Sequence, residues 1–423
     1  MKNNTFSSFR NRNFRLFFMG QSVSLMGTWM QKTAVSWVIY SLTQSKFMLG
    51  VSVFATLFPT ALVSLYGGIV ADRYNRYRVL LSTQIISLVQ ALLLTLAIIF
   101  FKQYAIWIII ILSAVLGVIN GFDMPARQSL IRDLITNKEN LPNALALNSS
   151  MVNLAKLVGP AIAGVVLEKF SDVACFGLNA ISFVPVILSL LMLKLPEAAT
   201  KPKADKNIKK EFAEAFSYIK NTPEVNSVII FVGIMSLLAL PFTTLTPVFA
   251  KDIFNGSAAT LGVIDGVIGF GALFGALFLA SLKQGTNLSR VLAVNTLVFG
   301  AGLSLFSHTL IFPLALLFIT VGAFGMMSIR TLSNTIIQIH VPNEFRGRVI
   351  SIYLMVLTTM MPLGSLLIGT VSHYIGVQST VLAEGIIALI VTAFYGRYLK
   401  KEKLKKAERA LLQHQSEEIL IQA

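Results

Sequence analysis

The chain is dominated by long apolar runs, each about as long as a helix that crosses a lipid bilayer. Such a helix needs about 20 mostly apolar residues, and runs of this kind recur twelve times, from residues 14–40 to residues 378–399. Hydrophobic residues make up 55% of the 423 positions, and charged residues only 13%. A soluble protein cannot bury that much apolar surface in its own cores. The sequence therefore predicts an all-α integral membrane protein with twelve transmembrane helices.

Lysine and arginine are distributed unevenly between alternate connections of these runs. One side carries 28 of the 35 basic residues, and the other side carries four: Lys46, Lys102, Lys169 and Lys251. Basic residues are retained on the cytoplasmic side of a membrane. We therefore expect a multi-pass protein of the bacterial inner membrane with both termini in the cytoplasm. The net charge of +16 then follows from orientation, and no nucleic-acid partner is expected.

The composition changes once, at residues 196–222, and this break divides the chain into two halves. The polar stretch PEAATKPKADKN reads as a flexible linker. After it, Ile208, Phe212, Phe216 and Ile219 recur at helical spacing, which predicts an amphipathic helix on the membrane surface. The expected organisation is an N-terminal six-helix half (1–195), this cytoplasmic linker (196–222), a C-terminal six-helix half (223–399) and a cytoplasmic tail (400–423).

Six ionisable residues lie well inside the apolar runs: Lys32, Asp123, Lys156, Asp265, Arg330 and Glu384. A charge in hydrocarbon costs at least about 2.5–3.5 kcal/mol, so each should face a partner or a wet cavity. Depth in the membrane predicts that Asp123 meets Arg330 and that Lys32 meets Asp265. We expect Asp123 to exchange protons, and static pairs that hold helices together are the alternative. Polar residues at helical spacing extend the predicted substrate and proton pathway: Gln21, Thr28, Gln31, Asn120, Arg127, Asn153 and Asn334.

A short basic loop follows the second run, with the sequence GGIVADRYNRYR over residues 67–78. Its Ala-Asp-Arg and the later arginine resemble the loop between helices 2 and 3 of the major facilitator superfamily of secondary transporters. Asn75 stands where that superfamily usually has a second glycine, and Tyr77 where it often has a basic residue. The resemblance implies a latch that stabilises an outward-facing state, made of Gly68, Asp72, Arg73, Arg76 and Arg346. A positive-inside loop without a gating role is the alternative.

The fifth run contains GPAIAG over residues 159–164. Small residues let two helices approach closely, and Pro160 frees a backbone carbonyl and bends the helix. Gly159, Pro160 and Gly164 resemble a fifth-helix motif of the drug/proton antiporters in the same superfamily. Ala155 and Ala163 stand where glycine is usual in that motif. A general packing motif with no antiport role is the alternative.

A wider resemblance covers most of the chain. GFDMPARQSLIRDLI (121–135), LPNALALNSSMVNLAKLVGPAIAG (141–164) and VPNEFRGRVIS (341–351) are similar to the exporter branch that includes macrolide-efflux and enterobactin-exporter-like proteins. The resemblance implies two six-helix pseudo-repeat halves and outward transport of a sizeable organic molecule.

Together these patterns predict a secondary active transporter that exports drug-like or siderophore-like molecules by proton-coupled alternating access. Its expected partners are the small-molecule substrate, protons and the lipid bilayer, and we expect a monomer. The chain contains no GxxxxGK[ST] loop for ATP and no cluster of cysteine and histidine for a metal, so we expect neither a cofactor nor an enzyme. A proton-coupled nutrient importer on the same fold and a transport-inactive membrane receptor or lipid-handling protein remain alternatives.

Overall fold

The computed structural model describes residues 7–135, 138–194 and 208–422, and in this part of the chain it is helical without strands. The predicted all-α fold is confirmed. The linker predicted from Pro196 begins in a stretch, 195–207, that lies outside the described residues. Twelve long helices are α1 (Arg12–Thr43), α2 (Lys46–Arg73), α3 (Arg76–Phe100), α4 (Ala105–Leu134), α5 (Leu141–Lys169), α6 (Asp172–Leu191), α7 (Pro223–Ile253), α8 (Ala258–Ala280), α9 (Leu288–His308), α10 (Phe312–His340), α11 (Asn343–Ile375) and α12 (Val377–Gln422). A shorter connecting helix, Ile208–Asn221, precedes α7.

Among the described residues, every long helix except α1 is apolar enough by length and composition to cross a membrane, which gives eleven such helices. Helix α1 is 32 residues long, but Gln21, Gln31 and Lys32 lower its mean hydropathy. It packs against α5 and α6, and Phe14 and Ile39 near its two ends are fully buried. Because one side of α1 is buried against other helices, it can cross the membrane with the other eleven while carrying polar side chains.

Helix α7 is regular only in its first part. It is α-helical over Pro223–Leu238 and continues through 3₁₀ and π turns to Ile253. Pro241 and Pro247 lie in the irregular part. Proline has no backbone N–H and cannot continue the helical hydrogen-bond ladder. Helix α12, in contrast, continues past the expected end of the last run at residue 399 to Gln422.

The packing of α1–α6 is repeated by α7–α12. In the first half α1 packs on α5 and α6, α2 on α4, and α3 on α4 and α6; the second half repeats these contacts with each helix number raised by six. The halves meet mainly through two helix pairs, α2 with α11 and α5 with α8, and α1 also contacts α7 and α8. This pattern gives two six-helix pseudo-repeats related by an approximate two-fold axis.

The termini of the halves and the connecting helix lie on one side, here called the terminal face. The Asn13 side-chain amide donates to the Lys194 carbonyl (2.9 Å), which joins the start of α1 to the end of α6. The Tyr218 hydroxyl of the connecting helix donates to the His340 carbonyl at the end of α10 (3.3 Å). The side on which α1 ends and α2 begins is called the opposite face.

The halves are packed tightly towards the opposite face, and open space lies beside α2 and α11 at the terminal face. A Cβ atom on Gly50 of α2 would lie 2.6 Å from the Ser365 carbonyl oxygen of α11, and one on Gly262 of α8 would lie 2.7 Å from the Pro160 carbonyl oxygen of α5. Such approaches leave room only for glycine. A Cβ on Gly68 or on Gly347, at the terminal-face ends of α2 and α11, would meet no atom within 4 Å.

Candidate functional site

Four of the six membrane-embedded charges gather between the two halves. They are Lys32 on α1, Lys156 on α5, Asp265 on α8 and Arg330 on α10. Lys32 interacts electrostatically with Asp265 and Arg330, and Lys156 interacts with Lys32 and Arg330. Lys32 and Arg330 are surrounded by protein, yet their side chains remain exposed to solvent. That combination is expected of the wall of a water-accessible cavity. We call these four residues the central cluster.

An aromatic ring lies beneath the two lysines of the central cluster. The Nζ atoms of Lys32 and Lys156 lie 4.7 Å and 5.5 Å from the centroid of the Trp29 ring. Ammonium groups at this distance are attracted by the π face of tryptophan. Gly159 of α5 lets the two helices approach here, because a Cβ at that position would lie 2.6 Å from the Trp29 Cβ. Trp29 is not among the residues predicted from the sequence, although it stands between Thr28 and Lys32 in the polar part of α1.

Asp265 is held by a donor from the other half. It accepts a hydrogen bond from the Thr33 hydroxyl of α1 (3.4 Å). Lys32, the partner that depth predicted, interacts with it electrostatically. Because Thr33 and Lys32 belong to the first half and Asp265 to the second, the hydrogen bond and the charge interaction both depend on how the halves are arranged.

Arg330 has only weak acceptors around its guanidinium. In the described part of the chain, its side-chain hydrogen bond goes to the thioether sulfur of Met361 (3.5 Å). Its backbone carbonyl accepts a hydrogen bond from the Tyr353 hydroxyl (2.8 Å), which fixes α10 against α11.

The expected pairing of Asp123 with Arg330 is wrong for this structure. Asp123 is 4% exposed and forms a salt bridge with Arg127, one helical turn later (2.8 Å). Its other carboxylate oxygen accepts hydrogen bonds from Thr83 (3.0 Å) and Gln84 (2.6 Å) of α3. Depth in the membrane could not give the direction of the side chain, which points into the first half.

The polar side chains predicted to form one stripe on α1 point in two different directions. Gln21 and Gln31 are buried in the first half, where Gln31 accepts a hydrogen bond from Asn179 (2.6 Å) and donates one to Gln90 (3.4 Å). Lys32 points to the space between the halves, because consecutive helical residues differ in direction by about 100°. The remaining predicted pathway residues are all partly exposed: Thr28, Asn120, Asn153 and Asn334.

Glu384 lies apart from the central cluster. It is 2% exposed, and among the described residues neither of its carboxylate oxygens has a hydrogen-bond partner. Its neighbour Gly385 packs against Gly300 of α9. In the part of the chain that the structure describes, no group of three or more histidine, cysteine, aspartate or glutamate side chains could hold a metal ion.

The family model for transmembrane secretion effectors matches residues 3–422. The chain belongs to this family of the major facilitator superfamily. The predicted exporter-branch resemblance is also confirmed by relatives. The chain is 27% identical to the staphyloferrin A transporter of Staphylococcus aureus, over 93% of this chain and 98% of the relative. It is 25% identical to the enterobactin exporter EntS of Escherichia coli O1:K1 (89% of each chain) and 21% identical to macrolide efflux protein A of Streptococcus pyogenes (89% and 94%).

Solved structures of the superfamily share the fold. A bacterial homologue of the human lysosomal transporter Spinster, solved in an inward-facing and unoccupied conformation, superposes with a TM-score of 0.72 over 92% of this chain and 96% of that chain. The identity is 14%, so this likeness concerns the fold alone. It confirms the predicted arrangement of two six-helix halves.

The superfamily loop between α2 and α3 is anchored within the first half. Arg76 forms a two-oxygen contact with Asp133 of α4 (2.9 and 3.0 Å) and lies 4.0 Å from Asp72. Asn75 caps α3 by accepting hydrogen bonds from the next backbone N–H groups, and its φ of −65° explains why no glycine is needed here. Arg73 is exposed, and Arg346 donates to the Val341 carbonyl of its own loop (3.5 Å). The docking of Asp72 near Arg346 stays a prediction for a state in which the terminal face closes.

The GPAIAG motif lies at the junction of the halves. A Cβ on Gly164 would lie 2.9 Å from the Ala258 carbonyl oxygen of α8, and the Pro160 carbonyl faces Gly262. Gly159 faces α1 instead. One motif therefore permits two close helix contacts, one inside the first half and one between the halves.

Two polar contacts join the halves at the opposite face. The Tyr40 hydroxyl donates a hydrogen bond to Asp252, and the Lys46 ammonium donates to the Ser372 carbonyl (3.2 Å). Neither contact was predicted from the sequence, because the partners are more than 200 residues apart and lie near the ends of spans, where polar residues are common.

Proposed function

We propose that this protein exports drug-like or siderophore-like organic molecules across the bacterial inner membrane by proton-coupled alternating access, acting as a monomer. The observation that carries the proposal is the central cluster. It lies between two pseudo-symmetric halves that pack tightly at one face and leave open space beside α2 and α11 at the other. The names of the relatives, a siderophore transporter, a siderophore exporter and a macrolide efflux protein, support this choice of cargo.

The unequal distribution of basic residues supports a cytoplasmic terminal face. In that orientation the central cluster is open to the cytoplasm, and the Tyr40–Asp252 and Lys46–Ser372 contacts close the outer side. This is the state in which an exporter loads its cargo. Transport then requires that these outer contacts break and that the terminal-face ends of α2 and α11 approach each other. The loop carrying Asp72 is placed to latch that second state.

We assign proton coupling to Asp265 and a structural role to Asp123. Asp265 is partly exposed, lies among charges from both halves and accepts a hydrogen bond across their interface. Protonation of its carboxylate would weaken its interaction with Lys32 and so alter the balance between the two states. Asp123 already has three donors inside one half, and Arg127 neutralises its charge.

The test is the accumulation of a panel of labelled compounds in cells that express the protein and in cells that do not, each with and without a protonophore. We expect lower accumulation of at least one compound in expressing cells, and we expect the protonophore to abolish the difference. Higher accumulation would identify an importer, and no difference for any compound would favour a receptor or lipid-handling protein.

Two matched variants locate the coupling residue. Asp265→Asn should retain the folded protein but export without a response to the proton gradient. Asp123→Asn should retain gradient dependence in whatever protein remains folded. The opposite pattern would return the coupling role to Asp123.

A further inference from the structure

We propose that Lys32, Lys156 and Arg330 form the binding site for an organic polyanion, a molecule that carries two or more carboxylates beside an apolar or planar part. This inference rests on the proposed export function and narrows its cargo. It predicts that compounds with several negative charges are preferred over neutral and cationic compounds of similar size.

The charges of the central cluster do not balance. Among the described residues that interact there, three are cations and one, Asp265, is an acid. The other two acids inside the spans lie elsewhere, since Asp123 is paired with Arg127, and Glu384 is buried on α12 beside Gly385, which contacts α9. Like charges repel more strongly near a low-dielectric interior than in water. Two dissociated carboxylates on a ligand would neutralise the excess.

Apart from the charge interaction of Lys32 with Asp265, each cation makes a weak contact in this structure that it can exchange for a stronger one. The two ammonium groups lie over the Trp29 ring, at 4.7 Å and 5.5 Å from its centroid. The Arg330 guanidinium donates to the Met361 sulfur at 3.5 Å. Carboxylates form shorter and stronger charge-assisted hydrogen bonds, and a guanidinium binds them through two parallel N–H groups. A polyanion would therefore draw all three side chains towards itself.

Trp29 gives the site an apolar surface. If the lysines turn towards a bound anion, the face of the indole ring becomes available to a planar or apolar part of that molecule. A cationic ligand would instead compete with Lys32 and Lys156 for the ring and meet the repulsion of Arg330. The site thus combines attraction for anions with exclusion of cations.

The site draws on both halves. Lys32 and Lys156 belong to the first half, and Arg330 belongs to the second. A ligand that binds all three connects α1, α5 and α10. Its binding therefore depends on the arrangement of the halves and, by linkage, changes the population of that arrangement.

Trp29 itself provides the reporter for a test. The chain has three tryptophans, and Trp37→Phe with Trp107→Phe leaves Trp29 as the only one. The full-length variant, purified in detergent, is titrated with tricarballylate, with its trimethyl ester and with spermidine while Trp29 fluorescence is recorded. We expect a saturable change with tricarballylate that weakens as salt is added. The neutral ester and the triamine should produce no saturable change at the same concentrations.

Single substitutions then test the assigned residues. Lys156→Met should weaken tricarballylate binding by roughly tenfold or more, and Lys156→Arg should restore much of it. Lys169→Met removes an exposed positive charge from the end of the same helix and should leave binding unchanged. Equal binding of the ester, tighter binding of spermidine, no response to tricarballylate, or an unchanged affinity in Lys156→Met would overturn the proposal.

The failure of this inference is distinguishable from the failure of the proposed function. Protein-dependent export of neutral or cationic compounds, without polyanion binding, would contradict the polyanion site while leaving the exporter in place. Saturable polyanion binding without export of any compound would contradict the transport function and retain the site.

Discussion

The Tyr40 hydroxyl on α1 donates a hydrogen bond to the Asp252 carboxylate at the end of α7, and this bond joins the two halves at the opposite face. Lys251 lies over the Tyr40 ring, with its Nζ atom 5.9 Å from the ring centroid. Nearby, Lys46 of α2 donates to the carbonyl of Ser372 in α11. If the halves rock during transport, these contacts must break whenever the opposite face opens. Substitutions at these contacts therefore test the balance between the state closed at the opposite face and the state open there.

We expect Tyr40→Phe to favour the state that is open at the opposite face. The substitution keeps the ring beneath Lys251 but removes the hydrogen bond to a charged group, a contact worth about 1.5–3 kcal/mol. The open population should rise roughly tenfold or more. Spin labels introduced by Phe47→Cys and Tyr374→Cys, both exposed at this face, report the change as a longer interlabel distance. The only native cysteine, Cys175, is removed by Cys175→Ala.

The control for that experiment is Tyr66→Phe. Tyr66 is 69% exposed and lies on α2 well away from Asp252. Loss of the Tyr66 hydroxyl should leave the distribution of distances between the two spin labels unchanged. An unchanged distribution in Tyr40→Phe as well would show that the Asp252 contact does not hold the opposite face closed.

Gly262→Ala tests the close approach of α5 and α8. The added Cβ would lie 2.7 Å from the Pro160 carbonyl oxygen, so the two helices must separate. We expect the substitution to destabilise the arrangement with the opposite face closed by about 1–3 kcal/mol. This should be seen as a lower thermal unfolding temperature and slower export. Gly266→Ala, one turn later on the same helix, meets its nearest neighbour at 3.6 Å and should be tolerated. Equal behaviour of the two variants would contradict this account of the interface.

Asp123→Asn should destabilise the first half. The substitution leaves the largely buried Arg127 without its anion, and breaking such a pair costs about 3–5 kcal/mol. Adding Arg127→Gln removes the stranded charge, so the double variant should be more stable than Asp123→Asn alone. Thermal unfolding of the unmodified protein, the two single variants and the double variant in the same detergent gives the interaction energy between Asp123 and Arg127. Additive effects of the two substitutions would show that the salt bridge contributes little.

The course of α1 shows how much of the fold the sequence could predict and where prediction stopped. The apolar run over residues 14–40 and the alternation of charged connections predicted a spanning helix, although α1 is not among the eleven helices that are apolar enough by composition alone. The polar residues of the same run predicted that one side of α1 lines the substrate and proton pathway. Spacing could not distinguish Gln31, which points into the first half, from Lys32, which points between the halves. Residues three and four positions apart form a stripe along the helix that is wide enough to include both Gln31 and Lys32.

The charged residues show a related limit. Counting from the ends of the spans placed Lys32 and Asp265 at similar depth, and they do interact. The same arithmetic paired Asp123 with Arg330, whereas Arg127 at i+4 is the actual partner. Depth constrains the position of a side chain along the membrane normal. Its position in the membrane plane depends on the rotation of the helix and on which helices are neighbours. Trp29 was missed because tryptophan in an apolar run usually indicates packing, and only its contacts with Lys32 and Lys156 show otherwise.

We expect Glu384→Leu to stabilise the protein without reducing export. The carboxyl group is buried without hydrogen-bond partners, and such burial costs about 1–3 kcal/mol. A leucine of similar size removes that cost in the contact between α9 and α12. Glu168→Leu, at an exposed position of α5, controls for the general effect of an added apolar side chain. A loss of export with unchanged folding would instead place Glu384 in the transport pathway.

The most direct test of alternating access is to lock the opposite face reversibly. In the Cys175→Ala background, Tyr40→Cys and Asp252→Cys are bridged by a reducible crosslinker about as long as the two side chains that it replaces. A matched bridge between Arg76→Cys and Asp133→Cys stays within the first half. For any compound that the accumulation experiment identifies, we predict that the first bridge stops export, that reduction restores it, and that the second bridge has no such effect. Export at the full rate with Tyr40→Cys and Asp252→Cys crosslinked would contradict a mechanism in which the halves must separate at the opposite face.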